Sequence, residues 1–364
     1  MTDPYREAGV DYDVLDAAKR DALTAAATTL GNLDALGGRP VGDTLGEPAF
    51  VFQVDDLVLA VVLECLGTKS VLAREYEEAT GLDRFADIAY DTVAAIANDL
   101  CCVGALPFVI NAYFATGSAD FYSGGRGQSL VSGWKRGCED AGAAWGGGES
   151  PTLAGLIAES DVELAGSAVG RVPAGARPVL GDALAQGDAI VLLASTGLHA
   201  NGASLARRVA ADLPDGLRTK LPSGRELGDA LLVPAPMYVP VVAELARRGI
   251  EVSYMSHITG HGLRKLMRAR RDLSYEIDRL PDVPEVLSFL VDAVDLDPSA
   301  AYGTFNMGAG FAIFCPEPAA SAVVEAAGAV GIDAMVAGRV RPGPRAVHVA
   351  PVDVTFSGEQ LELR

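Results

Sequence analysis

The sequence predicts an α/β (α+β) protein of two domains, and three observations carry that prediction. The chain has 364 residues, close to two units of roughly 150. Strand-length apolar runs alternate with helical stretches in both halves, as mixed layers require. A stretch rich in Gly, Ala and Pro, from Pro173 to Asp188, interrupts the pattern and divides the chain into domains over 1–172 and 173–364.

The elements follow in order. Residues 14–28 are alanine-rich, with Leu15 and Leu23 between charges, and predict a first helix. A loop punctuated by Gly and Pro runs from Gly31 to about Pro48. Ala49–Val54 and Leu57–Leu63 read as strands joined at Asp55-Asp56, a hairpin signal. They offer more apolar sheet than one copy readily covers, which predicts a homodimer formed through the N-terminal sheet domain. Helices are expected at 84–104 and 126–142, a strand at Pro107–Ala115 between them, and another strand at Glu163–Val169. The second half opens with the buried strand Ala189–Ala194 and a helix over 202–211. Helices at 236–248, 260–269 and 317–329 follow, with strands near Leu273–Ile277, Gly310–Phe314, Asp333–Val340 and Ala346–Val349.

Composition narrows the function classes. Forty-eight acidic residues against 29 basic ones give a net charge of −19, a field that repels phosphate backbones and anionic lipid heads. Nucleic acid and membrane partners are therefore excluded, and an anionic substrate must be met by a local basic or amide-lined pocket or by a bound cation. Met1–Glu7 shows no basic stretch leading into an apolar one, and no apolar run reaches membrane-spanning length, so a cytoplasmic protein is expected. Cys65, Cys101, Cys102, Cys138 and Cys315 are odd in number and lack paired CxxC spacing, which suits reduced, buried thiols.

Several polar clusters ask for a chemical explanation. Glu64-Cys65-Leu66-Gly67-Thr68-Lys69 follows an apolar strand with an oxygen donor for Mg²⁺, a small residue for close approach and a cation for phosphate, although a surface turn reads equally well. Asp91 and Asn98 lie seven apart on one helix face, with Asp99 at its edge. Acidic groups on an apolar helix bind a cation, are solvated, or cap the helix end. Gly146-Gly147-Gly148-Glu149-Ser150 presents a carboxylate after a glycine run, in a form a simple tight turn also takes. Ser195-Thr196-Gly197-Leu198-His199-Ala200-Asn201-Gly202 joins a buried strand to a helix, where free N–H groups favour anions and where His199 is expected to titrate near neutrality. Ser256-His257-Ile258-Thr259-Gly260-His261-Gly262 repeats that logic before Arg264 and Lys265, and lacks a third ligand for zinc. Thr304-Phe305-Asn306-Met307-Gly308-Ala309-Gly310 is a further small-residue approach to a strand.

In this order the segments resemble the AIR synthetase (phosphoribosylformylglycinamidine cyclo-ligase) family of a larger ATP-binding superfamily. The resemblance rests on Tyr5–Asp11, Gly67-Thr68-Lys69, Asn98-Asp99-Leu100, Tyr113–Gly117, Gly147-Gly148-Glu149, His199–Leu205, His257–Gly260 and Thr304–Gly308, and it reaches about residue 340. Selenophosphate synthetase would place a reactive cysteine near the N-terminus, whereas Cys65 comes first here. The hydrogenase maturation protein of the superfamily ends in a functional cysteine, and this chain ends Gln360–Arg364. The departures lie in Leu63-Glu64-Cys65, where the family has Thr-Asp-Gly, in the loop Leu30–Gly38, in Asn111 for Asp, and in Lys19, which stands out of register with a family lysine.

The resemblance implies a homodimer that uses ATP and Mg²⁺ to activate the formyl amide of a ribonucleotide substrate and close an imidazole ring. It assigns catalysis to His199, Asn201 and Lys69. ATP falls to Glu64, Gly67, Thr68, Lys69, Asp91, Asn98, Asp99, Gly148 and Glu149, with Glu64, Asp91 and Asp99 on the metal. Substrate falls to His199, Asn201, Gly202, His257, Thr259 and Gly260. The changes at Glu64 and Cys65 keep two alternatives open: a paralogue activating another amide or carboxylate with ATP, and a catalytically silent nucleotide-binding dimer.

Overall fold

The computed structural model describes residues 12–46 and 48–361. The opening motif Tyr5–Asp11 lies outside them. Strands β1 (Gly38–Pro40), β2 (Phe50–Val54), β3 (Leu57–Cys65), β4 (Leu106–Thr116), β5 (Ala144–Glu149) and β6 (Val162–Arg171) form one sheet in the order β1-β2-β3-β6-β4-β5. The β2–β3 hairpin turns at Asp55, which takes a left-handed φ of 49°. Alternation sets the two faces: Val51, Ala60 and Val62 point inward, while Leu57, Leu63, Phe108 and Val169 are exposed on the other side. Leu63 is 73% and Phe108 66% exposed, so the outer face is apolar and uncovered among the described residues.

Helix α1 (Tyr12–Ala27) is largely exposed over residues 18–27, whereas helices α2 (Lys69–Thr80), α3 (Phe85–Cys101) and α4 (Arg126–Asp140) cover the inner face to different extents, with α3 almost wholly buried. The α3–α4 crossing depends on Gly133, where a Cβ would lie 1.9 Å from the Ala86 carbonyl oxygen.

The second sheet holds β7 (Ala189–Ala194), β8 (Tyr254–His257), β9 (Leu273–Ile277), β10 (Ala309–Cys315), β11 (Ala334–Pro342), β12 (Ala346–Val349) and β13 (Val354–Ser357) in the order β13-β12-β9-β11-β7-β10-β8. β10 is buried along its whole length and β7 nearly so, as their unbroken apolar sequences require. Helices α5 (Ala203–Asp212), α6 (Leu227–Leu231), α7 (Val239–Arg248), α8 (Glu285–Ala293), α9 (Pro298–Thr304) and α10 (Ala320–Ala329) complete this half.

Polar bonds join the halves. Thr68 Oγ1 and Ser204 Oγ lie 2.8 Å apart, Arg207 grips Glu75 at 3.0 and 2.5 Å, Arg84 meets Asp229 at 2.7 Å, and the Tyr76 hydroxyl donates to Glu226 at 3.0 Å.

Three expectations are corrected. The glycine run is the edge strand β5, parallel to β4. It lies so close that a Cβ at Gly148 would sit 1.9 Å from the Ala112 carbonyl oxygen. The helix expected over 260–269 is a 3-10 turn, Gly262–Met267, preceded by His261 at φ 74°. Cys65 is exposed, whereas the other four free cysteines are buried as expected. Helix α2 was unforeseen because its sequence is mostly polar, with Leu72, Ala73 and Tyr76 as its buried apolar side. Among the described residues no helix is long and apolar enough to cross a membrane.

Candidate functional site

Helix α3 turns its polar residues toward the second half, and each meets a different partner. Asp91 Oδ2 accepts from Lys69 Nζ at 2.5 Å and Oδ1 accepts from the Ala235 N–H at 2.6 Å, with both side chains of the ion pair fully buried. Burial pushes the Asp91 carboxyl up, against the pull of Lys69. Two turns further, Asn98 accepts from the Tyr238 N–H at 2.8 Å and donates to the Pro236 carbonyl at 3.0 Å. Asp99 Oδ1 lies 2.6 Å from His257 Nδ1, a buried carboxylate–imidazole pair. The His257 backbone N–H donates to Cys102 Sγ at 3.2 Å, which fixes strand β8 against the end of α3. His257 Nε2 is buried without a hydrogen-bond partner among the described residues.

The Asp99–His257 pair opens on a cavity of about 160 Å³ between the two halves. Lys19, Glu64 and Asp99 line it from the N-terminal side, and Asn201, His257, Thr259, Gly260, His261 and Lys265 from the C-terminal side. Five elements and loops distant in sequence thus converge on one polar space.

The loop that carries Asn201 is held by Asn306. Its Oδ1 accepts from Ser195 Oγ at 2.7 Å and from the Gly308 N–H at 3.0 Å, while its Nδ2 donates to the Gly197 carbonyl at 2.8 Å. Thr196 Oγ1 adds a bond to the Pro234 carbonyl at 2.7 Å. The Thr304–Gly308 motif is therefore a brace for the loop. Gly202 starts α5 at φ 93°, and a Cβ there would meet the Phe305 ring at 2.7 Å. His199 takes a left-handed φ of 60° and points inward, only 3% exposed. Its Nε2 accepts a long bond from the Thr196 N–H at 3.4 Å, and its Nδ1 has no hydrogen-bond partner among the described residues. Burial above all, with His257 and Lys69 adding to it, pushes the imidazole well below its ordinary range, so it is neutral at pH 7. That corrects the expectation of titration near neutrality. The cause is Gly310, where a Cβ would fall 2.8 Å from His199 Cε1; its absence lets the ring sink beside Tyr238.

The structure gathers Glu64, Asp99, Asn201, His257, Thr259 and Gly260 at the cavity and keeps the other expected residues away from it. Lys69 is fully buried against Asp91, so among the described residues the expected phosphate-neutralising lysine is an internal ion pair. Asp91 has both oxygens engaged in that same knot, which corrects its placement on a metal. Asn98 spends its amide on tying the halves together. Gly67, at φ 69°, and Thr68 form the turn into α2, with Thr68 bonded to Ser204. Gly148 and Glu149 are exposed on the edge strand β5. Lys19 and Lys265 are the residues the sequence left unassigned: the rotation of α1 brings Lys19 to the cavity, although its register argued against it. A basic side chain among small ones in the Ser256–Lys265 segment was the available signal for Lys265.

A Mg²⁺ ion fits this donor set. It is commonly held by one or two carboxylates together with substrate phosphates, and Glu64 and Asp99 are two hard oxygen donors on one cavity. Among the described residues no group of three or more His, Cys, Asp or Glu side chains is placed to hold a metal alone.

A six-stranded and a seven-stranded sheet, with a polar cavity between the two halves, define a two-domain mixed α/β protein. The description "AIR synthase related protein, N-terminal domain" matches residues 46–172, and "AIR synthase related protein, C-terminal domain" matches residues 185–350. The chain belongs to the AIR synthase related family. Among curated relatives, a phosphoribosylformylglycinamidine cyclo-ligase of Sorangium cellulosum is 36% identical, covering 93% of this chain and 96% of its own. Another of that name, from Methanothermobacter thermautotrophicus, is 32% identical and covers 86% and 88%. Among solved structures, AaThiL complexed with AMPPCP and TMP superposes with a TM-score of 0.59 at 16% identity, covering 87% of this chain and 91% of that one.

Proposed function

We propose that this protein is a cytoplasmic, ATP-dependent cyclo-ligase that converts formylglycinamidine ribonucleotide to aminoimidazole ribonucleotide in purine biosynthesis. The observation that carries the reading is the convergence of Glu64, the Asp99–His257 pair and Asn201 on one cavity between the halves. The names of the curated relatives and the AMPPCP bound by AaThiL support it.

In the reaction the formyl amide oxygen takes a phosphoryl group from ATP, the nitrogen that closes the ring attacks the same carbon, and phosphate departs. Phosphorylation converts a poor oxygen leaving group into a good one. Mg²⁺, when bound, neutralises charge on the transferred phosphoryl group. Glu64 and Asp99 would hold it. Asp99 fixes the orientation of His257, and Asn201, Thr259 and Gly260 offer donors to the substrate's polar edge. His199 stays neutral inside the protein and supports the loop from which Asn201 projects. Lys265 and Lys19 supply local positive charge against the field of a −19 chain.

On this reading residues 1–172 carry ATP binding and dimerisation and residues 173–364 carry substrate contacts. The uncovered apolar face bearing Leu63 and Phe108 supports the homodimer. Light scattering should report a dimer at micromolar concentration and a monomer for Leu63→Glu; a monomeric parent would remove the dimer.

Incubation with formylglycinamidine ribonucleotide, ATP and Mg²⁺ should yield aminoimidazole ribonucleotide. ATP binding without product would point to a different activated amide or carboxylate, and no ATP binding would point to a silent protein.

A further inference from the structure

An arginine-rich cavity lies away from the candidate site in this acidic chain. A cavity of about 590 Å³ at the seam between the halves is lined by Arg177, Arg268, Arg270 and Arg271, against Asp43 and Asp182 as its acidic members. The basic excess stands out in a chain of net charge −19. Arg271 is anchored, its Nη1 donating to the Asp182 carbonyl at 3.1 Å. Apolar walls from Val179, Leu180 and Tyr254 complete the space. Its walls are close-fitted: a Cβ at Gly42 would lie 2.8 Å from Leu180 Cδ1, and one at Gly181 would lie 3.2 Å from Tyr254 Cδ2.

The two cavities share no residue and stand back to back. The end of α3 gives Asp99 to one and Cys102 to the other, strand β8 gives His257 and Tyr254, and the 262–268 segment gives Lys265 and Arg268. The seam cavity is therefore a separate space, built from the same three elements.

We infer that the seam cavity binds a phosphate monoester of nucleotide size, its phosphate met by the arginines and its organic part by the apolar wall. Guanidinium groups pair with phosphate oxygens in a two-pronged geometry that a lone lysine lacks. A volume of this order is in the usual range for small-molecule sites, about 300–1,000 Å³. The inference does not rest on the proposed cyclo-ligase activity.

Calorimetric titration of the full chain with AMP, ribose 5-phosphate and inorganic phosphate tests it. The parent should bind AMP more tightly than phosphate, and Arg177→Ala/Arg270→Ala should weaken that AMP binding at least about tenfold. Arg270→Lys, which keeps the charge but lacks the fork, should retain only part of it, and an unfolding midpoint of the double variant equal to the parent's shows that the loss is not misfolding. Cyclo-ligase turnover, measured separately, should be unchanged in the double variant, and an absence of turnover in parent and variant alike would sink the activity while leaving the AMP comparison intact. Identical AMP isotherms in parent and double variant overturn the site. Equal affinities for AMP and inorganic phosphate overturn its nucleotide-sized class.

Discussion

Asp91 and Asp99 lie two turns apart on α3, and both are buried, yet they are put to opposite uses. Asp91 is buried and locked to Lys69 and to the Ala235 N–H. Asp99 is locked to an imidazole that faces a cavity shared by both halves. A fully buried ion pair holds the fold, while the same type of carboxylate next to a space and an imidazole is placed for chemistry. What separates them is not residue type but which element packs opposite: the start of α2 in one case, strand β8 in the other.

The largest effect should come from breaking the first pair. Lys69→Met leaves Asp91 buried without its cation and should cost on the order of 3–5 kcal/mol in chemical denaturation. A loss below about 1 kcal/mol would mean that Lys69 is not what holds Asp91, and the contrast would collapse.

Breaking the second pair should act on activity instead. His257→Gln should lower turnover with formylglycinamidine ribonucleotide at least about tenfold, roughly 1.4 kcal/mol of transition-state stabilisation. Its unfolding midpoint should move far less than that of Lys69→Met. Turnover equal to the parent's would take the pair out of the reaction.

The smallest effect sharpens the comparison through His199, the third buried group nearby. Its imidazole is held well below the ordinary value of about 6.5 by burial, so the unfolded chain binds the extra proton first as pH falls. Its contribution to stability is therefore complete above about pH 6.5 and lost as pH drops toward the folded value, with a slope of up to about 1.4 kcal/mol per pH unit. The unfolding free energy of His199→Gln between pH 7 and 5 should fall less steeply than the parent's. Parallel slopes would mean that the ring takes up its proton equally in the folded and unfolded chain, so that burial does not hold it neutral.

The sequence made these groups visible unevenly. Strands Leu57–Leu63 and Ala189–Ala194 were legible because continuous or alternating apolar residues leave few alternatives. Asp99, Asn201, His257, Thr259 and Gly260 were legible as candidates because polar and small residues at the ends of apolar elements are conspicuous. That Lys69 closes on Asp91 was not legible: the two are 22 residues apart, and only the packing of α2 on α3 decides it. Lys19 was judged by register, but a helix's rotation about its own axis is set by its neighbours. The strand β5 hid in a glycine run because glycine carries almost no strand preference, and only the close approach to Ala112 shows why glycine is there. His199 looked like a loop histidine ready to titrate. Its burial depends on the missing side chain at Gly310, more than a hundred residues away.

The bonds from α3 across to the second half carry a consequence for how the molecule opens. Asn98 to Tyr238 and Pro236, Asp99 to His257, and Cys102 to the His257 amide all anchor one helix to partners beyond residue 235. That helix is also the buried centre of the first half. Its amides therefore exchange hydrogen with solvent only when both halves give way, and the slow-exchanging protons of α3 and of β10 should share one opening free energy. The two sheets, distinct in sequence and order, would then behave in exchange as a single cooperative unit.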